Sequence, residues 1–150
     1  MQHVELTAVS LRDVESAADP LRRLQVGFPH SSAAGNASTA TVYFELQPGM
    51  HVGPHRDSAE ELLLILEGEG EATVGDETGV ARAGEILTVP AMELHNIRNI
   101  GTGPLRVFGF FSASTVIATF ETPTELGGPQ VFVIGGPMPI ALPLGEPALA

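Results

Sequence analysis

The sequence predicts an all-β protein, an antiparallel barrel or sandwich. Two observations predict it: short strand-like stretches between residues 39 and 120, and Gly and Pro turn signals recurring between them at close spacing. Taken in order, residues 1–38 are mixed. Residues 11–24 show scattered helical spacing broken at Asp19-Pro20, and residues 28–38, rich in Ser, Ala, Gly and Asn, read as loop. Residues 39–46 alternate apolar and polar, and 61–66 form a short apolar run. Residues 71–74 and 79–82 read as a hairpin about Gly75-Asp76, and 86–89 and 105–111 complete the strand set. Two further strands are expected at 116–120 and 131–134, followed by a Gly- and Pro-rich tract. Half of the chain's twelve prolines lie between Pro123 and Pro147. That composition forms neither a helix nor a central strand. The expected organisation is an N-terminal extension (1–38), a barrel (39–121) and an extended C-terminal arm (122–150) lying on the barrel or on a partner subunit.

Composition narrows the function classes. The chain has 150 residues, 43% of them hydrophobic, which suits one domain with a core. No apolar run approaches the roughly 18 residues of a membrane-spanning helix. The N-terminal residues lack the basic and apolar regions of a signal peptide, so a cytoplasmic protein is expected. Cysteine is absent, which removes disulfides, thiolate nucleophiles and Cys-based zinc sites. All seven basic residues are arginines, so Schiff-base and pyridoxal phosphate chemistry have no lysine to use. The net charge of −11, with no basic stripe, argues against nucleic-acid and anionic-membrane partners.

Two motifs carry the chemistry. The first runs Gly49-x5-His55-x-Asp57-x3-Glu61-x6-Gly68; the second runs Gly84-x5-Pro90-x-Met92-x2-His95-x3-Asn99. Residues 69–83 separate them. Side chains two apart on a strand share a face, so His55 and Asp57 point the same way. Glu61 joins them from the next strand, and His95 arrives from the second motif. Two imidazoles with one or two carboxylates suit Fe(II), Mn(II), Ni(II) or Zn(II).

These motifs resemble those of the cupins, whose patterns read G-x5-H-x-H-x3or4-E-x6-G and G-x5-P-x-G-x2-H-x3-N. Asp57 stands in place of a histidine, and Met92 in place of a glycine. The resemblance covers roughly residues 40 to 112 and implies a jelly-roll (double-stranded β-helix) barrel and a homodimer. It carries His55, Glu61 and His95 over as ligands to one divalent ion. Asp57 keeps three readings: a fourth ligand, a water-linked carboxylate or catalytic base, or the mark of a site that has lost its metal and become a polar cluster. His51 is expected behind the ligands or at the rim, Met92 at the mouth, and Asn99 bonded to backbone. Glu60 is expected in solvent. Phe44, Leu63, Ile65, Ile97, Phe108 and Phe110 are the candidate pocket wall. Arg106 is a candidate carboxylate anchor or a strand-edge arginine.

The leading functional expectation is a metal-dependent, dioxygenase-like oxidoreductase acting on a small organic molecule, with Asp57 and Glu61 as candidate catalytic groups. A non-oxidative lyase, isomerase or cyclase using the same ion is the alternative, and a metal-free ligand-binding barrel is the third reading.

Overall fold

A computed structural model describes residues 1–122, 130–136 and 140–142. Its strands are β1 (Arg12–Glu15), β2 (Arg23–Gly27), β3 (Ala40–Leu46), β4 (His55–Asp57), β5 (Glu61–Glu67), β6 (Glu69–Val74) and β7 (Glu77–Arg82). They continue as β8 (Ile86–Val89), β9 (His95–Asn99), β10 (Leu105–Phe111), β11 (Val116–Phe120), β12 (Val131–Ile134) and β13 (Ile140–Leu142). Two antiparallel sheets result, one ordered β1-β2-β3-β10-β5-β8 and the other β13-β12-β11-β4-β9-β6-β7. This is the jelly-roll arrangement, with the core between the sheets.

Alternation on the strands explains which side chains fill that core. On β5, Glu61, Leu63 and Ile65 are buried, while Leu62 is exposed and Glu67 caps the exposed end. On β10, Leu105, Val107, Gly109 and Phe111 turn inward, and Arg106, Phe108 and Phe110 turn outward. Leu46, Ile65, Leu105 and Val107 are fully enclosed; each such side chain contributes about 1.5–3 kcal/mol of burial. The hairpin expected about Gly75-Asp76 is present, with β6 and β7 in register from Glu69↔Arg82 to Val74↔Glu77.

The helical spacing over residues 11–24 is overturned. Residues 12–15 and 23–27 instead form β1 and β2, paired antiparallel with Val14 opposite Leu24, and β2 continues onto β3. Leu24 and Val26 alternate with exposed Arg23 and Gln25, so the two-residue period prevails over the weaker helical one. Tertiary pairing supplies a partner that local propensity does not register. The C-terminal strand at Val131–Ile134 lies where expected, pairing with β11 and β13; within the proposed arm β13 forms the edge of the second sheet, and residues 123–129, 137–139 and 143–150 lie outside the described residues.

Candidate metal centre

Strand register brings the two motifs together. His55 on β4 lies directly opposite His95 on β9, and the two rings are 4.0 Å apart between centroids. Asp57 shares the inward face of β4 with His55, and Glu61 enters from the opposite sheet at the start of β5. The site therefore sits where the two sheets meet.

Each imidazole is held in one tautomer by backbone. Nδ1–H of His55 donates to the Gly53 carbonyl at 2.7 Å, and Nδ1–H of His95 donates to the Glu93 carbonyl at 2.9 Å. In each ring Nε2 is thereby the nitrogen that faces the carboxylates, the one a metal would take. Oδ2 of Asp57 lies 3.6 Å from Nε2 of His55 and 3.2 Å from Nε2 of His95. Oε2 of Glu61 lies 3.5 Å from Nε2 of His95. Ligand atoms each about 2.0–2.2 Å from an ion stand about 3.0–3.5 Å apart, so the Asp57 separations from the two imidazoles are close to those of a shared cation, with the Glu61 carboxylate beside them. His55, Asp57 and His95 form the group whose donor atoms converge.

Electrostatics agree with that fit. Asp57 Oδ2 and His95 Nε2 are buried without a hydrogen-bond partner, each an arrangement costing about 1–3 kcal/mol. A cation supplies the missing partner to both. Burial, against the pull of Asp57, lowers the His55 imidazole to about 4. Burial would also lower His95, but the close carboxylates of Asp57 and Glu61 outweigh it and push it up to about 10. Burial pushes the Glu61 carboxyl up to about 7, with the charge of Asp57 adding to it and His95 opposing it. The metal-free cluster thus holds a proton on His95 where a cation would otherwise sit.

The four groups border a cavity of about 100 Å³ between the sheets. Its walls are apolar, with Phe44, Leu63 and Ile97 contributed as expected, together with Phe111, Phe120 and Phe132. Four expected pocket residues lie elsewhere. Phe108 and Phe110 sit on the outward face of β10, Phe110 being 38% exposed. Ile65 is enclosed in the core away from the cavity, and Met92 is 56% exposed. Met92 adopts φ 64°, the conformation for which the family motif keeps a glycine. Its N–H donates to the Asp57 carbonyl at 2.8 Å and its carbonyl accepts from Arg56 at 3.0 Å. Met92 therefore acts through its backbone, bracing the ligand strand.

His51 stands apart from the cavity. Its Nε2–H donates to Asp19 at 2.7 Å, and its Nδ1 accepts from Asn96 at 3.0 Å. Asn96 Oδ1 in turn accepts from Gly53 N–H at 2.9 Å. This chain of bonds fastens the N-terminal segment to the turn carrying His55. Asn99 bonds backbone, donating to Leu46 and Gly103 carbonyls and accepting from Gly101 N–H. Glu60 is exposed. Arg106 lies outside the cavity against Tyr43, Glu45 and Glu67, so the anchor role has no geometry to support it. The cations that do border the cavity are Arg12 and Arg22, from the segment that sequence reading left as an extension.

Fold and site together define a jelly-roll protein with a candidate metal centre of two histidines and carboxylates. Residues 42–111 match the family model described as Cupin domain. The chain carries a cupin domain there. No curated protein matches the chain. Among solved structures it is similar to a predicted oxalate decarboxylase (tm1287) from Thermotoga maritima, at 22% identity and TM-score 0.64, over 75% of this chain and 99% of that one. It is also similar to the polyketide cyclase RemF from Streptomyces resistomycificus, at 20% identity and TM-score 0.63, over 74% of this chain and 78% of that one. A third likeness is to the oxalate decarboxylase of Bacillus subtilis, a protein with Mn(II) centres, at 22% identity and TM-score 0.58 over 61% of this chain. The chain spans only 26% of that protein's length. At these identities the likeness is one of fold. No helix among the described residues is long and apolar enough to cross a membrane.

Proposed function

We propose that this chain is a metal-dependent enzyme of the oxidoreductase, dioxygenase-like class, acting on a small apolar molecule that presents oxygen atoms to the metal centre. The observation that carries this reading is the convergence of His55, Asp57 and His95, two imidazoles and one carboxylate, a ligand set typical of non-haem Fe(II) oxygenases. A divalent ion held there would supply Lewis acidity and, as iron, a means of reacting with dioxygen. In this reading Asp57 is a ligand in its own right and Glu61 is the neighbouring proton acceptor. Glu61, a buried carboxylate 3.5 Å from Nε2 of His95, takes a proton from an enol or an acidic C–H of the substrate and holds it in a cavity with phenylalanine walls. The test is oxygen uptake after anaerobic loading with Fe(II), across a panel of enols, diketones and aromatic acids, with Glu61→Gln as the proton-transfer control.

A second reading has its own support. The proton affinity of Glu61 also suits a lyase, isomerase or cyclase that moves protons and consumes no oxygen. Incorporation of solvent deuterium into substrate without oxygen uptake selects it.

We also propose a cytoplasmic homodimer. Its support is the outer face of the first sheet, where Phe110 lies opposite Leu62 and Phe108 opposite Leu64. Ile86, 62% exposed, continues that face opposite Leu64. Two copies each carrying −11 repel, so a self-association surface must be poor in charge, as this one is.

A further inference from the structure

Arg22 is 1% exposed in a chain with a large excess of acid. Its Nε–H donates to the Val52 carbonyl at 2.9 Å, and Nη1 donates to the Thr122 carbonyl at 2.6 Å. Nη2 is buried and has no hydrogen-bond partner. Among the described residues no carboxylate stands within ion-pair distance of this guanidinium. Asp19, the anion whose charge reaches it, is already bonded to His51 and to Leu21 N–H. Burial lowers the Arg22 pKa only to about 10, so the group stays cationic at neutral pH.

The surroundings are built around this cation. Gly53 has φ +103°, and a Cβ there would fall 2.5 Å from Arg22 Nε; no other residue leaves room. The guanidinium lies over the Phe120 ring at 4.2 Å, and the same ring stacks on His55 at 4.7 Å and 19°. Arg22, Phe120 and His55 all line the one cavity. Fastening Val52 to Thr122 uses Nε and Nη1 alone, so a structural clasp leaves Nη2 unexplained. A buried charged donor without an acceptor costs several kcal/mol in general, and an anionic ligand removes that cost.

We propose that Arg22 anchors a carboxylate, and that the ligands of this cavity are compact, apolar carboxylic acids smaller than an aromatic ring. The phenylalanine walls favour an apolar body, and the volume of about 100 Å³ limits its size; for scale, an apolar cavity of about 150 Å³ takes benzene, so a short branched acid fits where a ring does not. The inference deepens the proposed function and rests on its reading of the cavity as the substrate site, with the carboxylate at Arg22 and the remainder directed to the metal centre.

The test is calorimetric binding of isobutyrate against isobutyramide to the metal-free and metal-loaded protein, in wild type and Arg22→Met. The expected result is a preference for the acid of at least about tenfold in metal-free wild type, falling to about equal affinity in Arg22→Met. Because Arg22→Met can loosen the clasp, wild type is also read directly: isobutyrate, and not isobutyramide, should shift the Arg22 Nε–H resonance. An acid that binds no better than its amide, whether both bind or neither does, overturns the proposal. So does a preference present only with metal bound, which would assign the carboxylate to the ion. Conversely, a protein that prefers isobutyrate but takes up no metal retains the Arg22 anchor and loses the proposed function.

Discussion

Gly109 on β10 stands against the carboxylate of Glu61 on β5. A Cβ on Gly109 would clash with Oε1 of Glu61 and lie 2.6 Å from Val42 Cγ1. The glycine is what leaves space for a buried carboxylate inside the barrel.

Gly109→Ala should therefore displace Glu61 or push β3 away. The expected destabilisation is about 1–3 kcal/mol, typical of overpacking a core, measured by urea denaturation of the metal-free protein. A change within a few tenths of a kcal/mol would show that the side chains part without strain.

His51 should separate structure from chemistry. Replacing it with Ala removes the bonds to Asp19 and Asn96, with an expected loss of about 1–3 kcal/mol for polar groups left without partners. Metal affinity should change less than about threefold, since His51 contributes no ligand atom. A loss of metal binding comparable to that of His95→Ala would place His51 in the centre itself.

The cavity cations and the outward phenylalanines show where the sequence was legible and where it was not. Motif spacing located His55, Asp57, Glu61 and His95 because strand periodicity turns spacing directly into shared faces. On β10 Arg106 is the single polar side chain of Leu105–Phe111, so alternation marks the outward face of Phe108 and Phe110 only weakly; Gly109, small enough to face Glu61, fixes the phase with Phe111 inward. Arg22 gave no signal. An arginine next to Arg23 in a polar segment reads as surface, and its burial depends on contacts with Val52 and Thr122, the latter 100 residues away.

Stability of the metal-free protein should fall as pH rises from about 6.5 to about 10. His95 is raised to about 10, so the folded state holds a proton that the unfolded state releases near its ordinary value. That contribution is full below about 6.5 and lost as pH climbs through 10. Glu61, raised to about 7, acts in the same direction from about 4.5 upward. His55, lowered to about 4, acts oppositely between about 4 and 6.5 and offsets Glu61 there. Thermal melts across this range check the slope, and His95→Ala should flatten its upper half. A flat profile in wild type would contradict the placement of that proton. Metal affinity should rise over the same window, because binding displaces the His95 proton.

Phe110→Glu should convert a dimer to a monomer by light scattering after gel filtration, with the melting temperature of the isolated barrel little changed. A wild-type protein already monomeric at high concentration would remove the proposed role of this face.

The central claim is that His55, Asp57 and His95 hold one divalent ion. It is tested by elemental analysis and titration calorimetry of untagged protein, prepared without chelator and reconstituted with Fe(II), Mn(II) and Zn(II), beside His95→Ala, Asp57→Ala and Glu61→Gln. The account predicts about one equivalent in wild type. It predicts loss in the first two variants by at least about tenfold in affinity, with retention in Glu61→Gln. Zinc or nickel in the protein as isolated would establish the centre without naming the working ion. Absence of metal after every reconstitution would contradict the claim, and so would undiminished binding by Asp57→Ala.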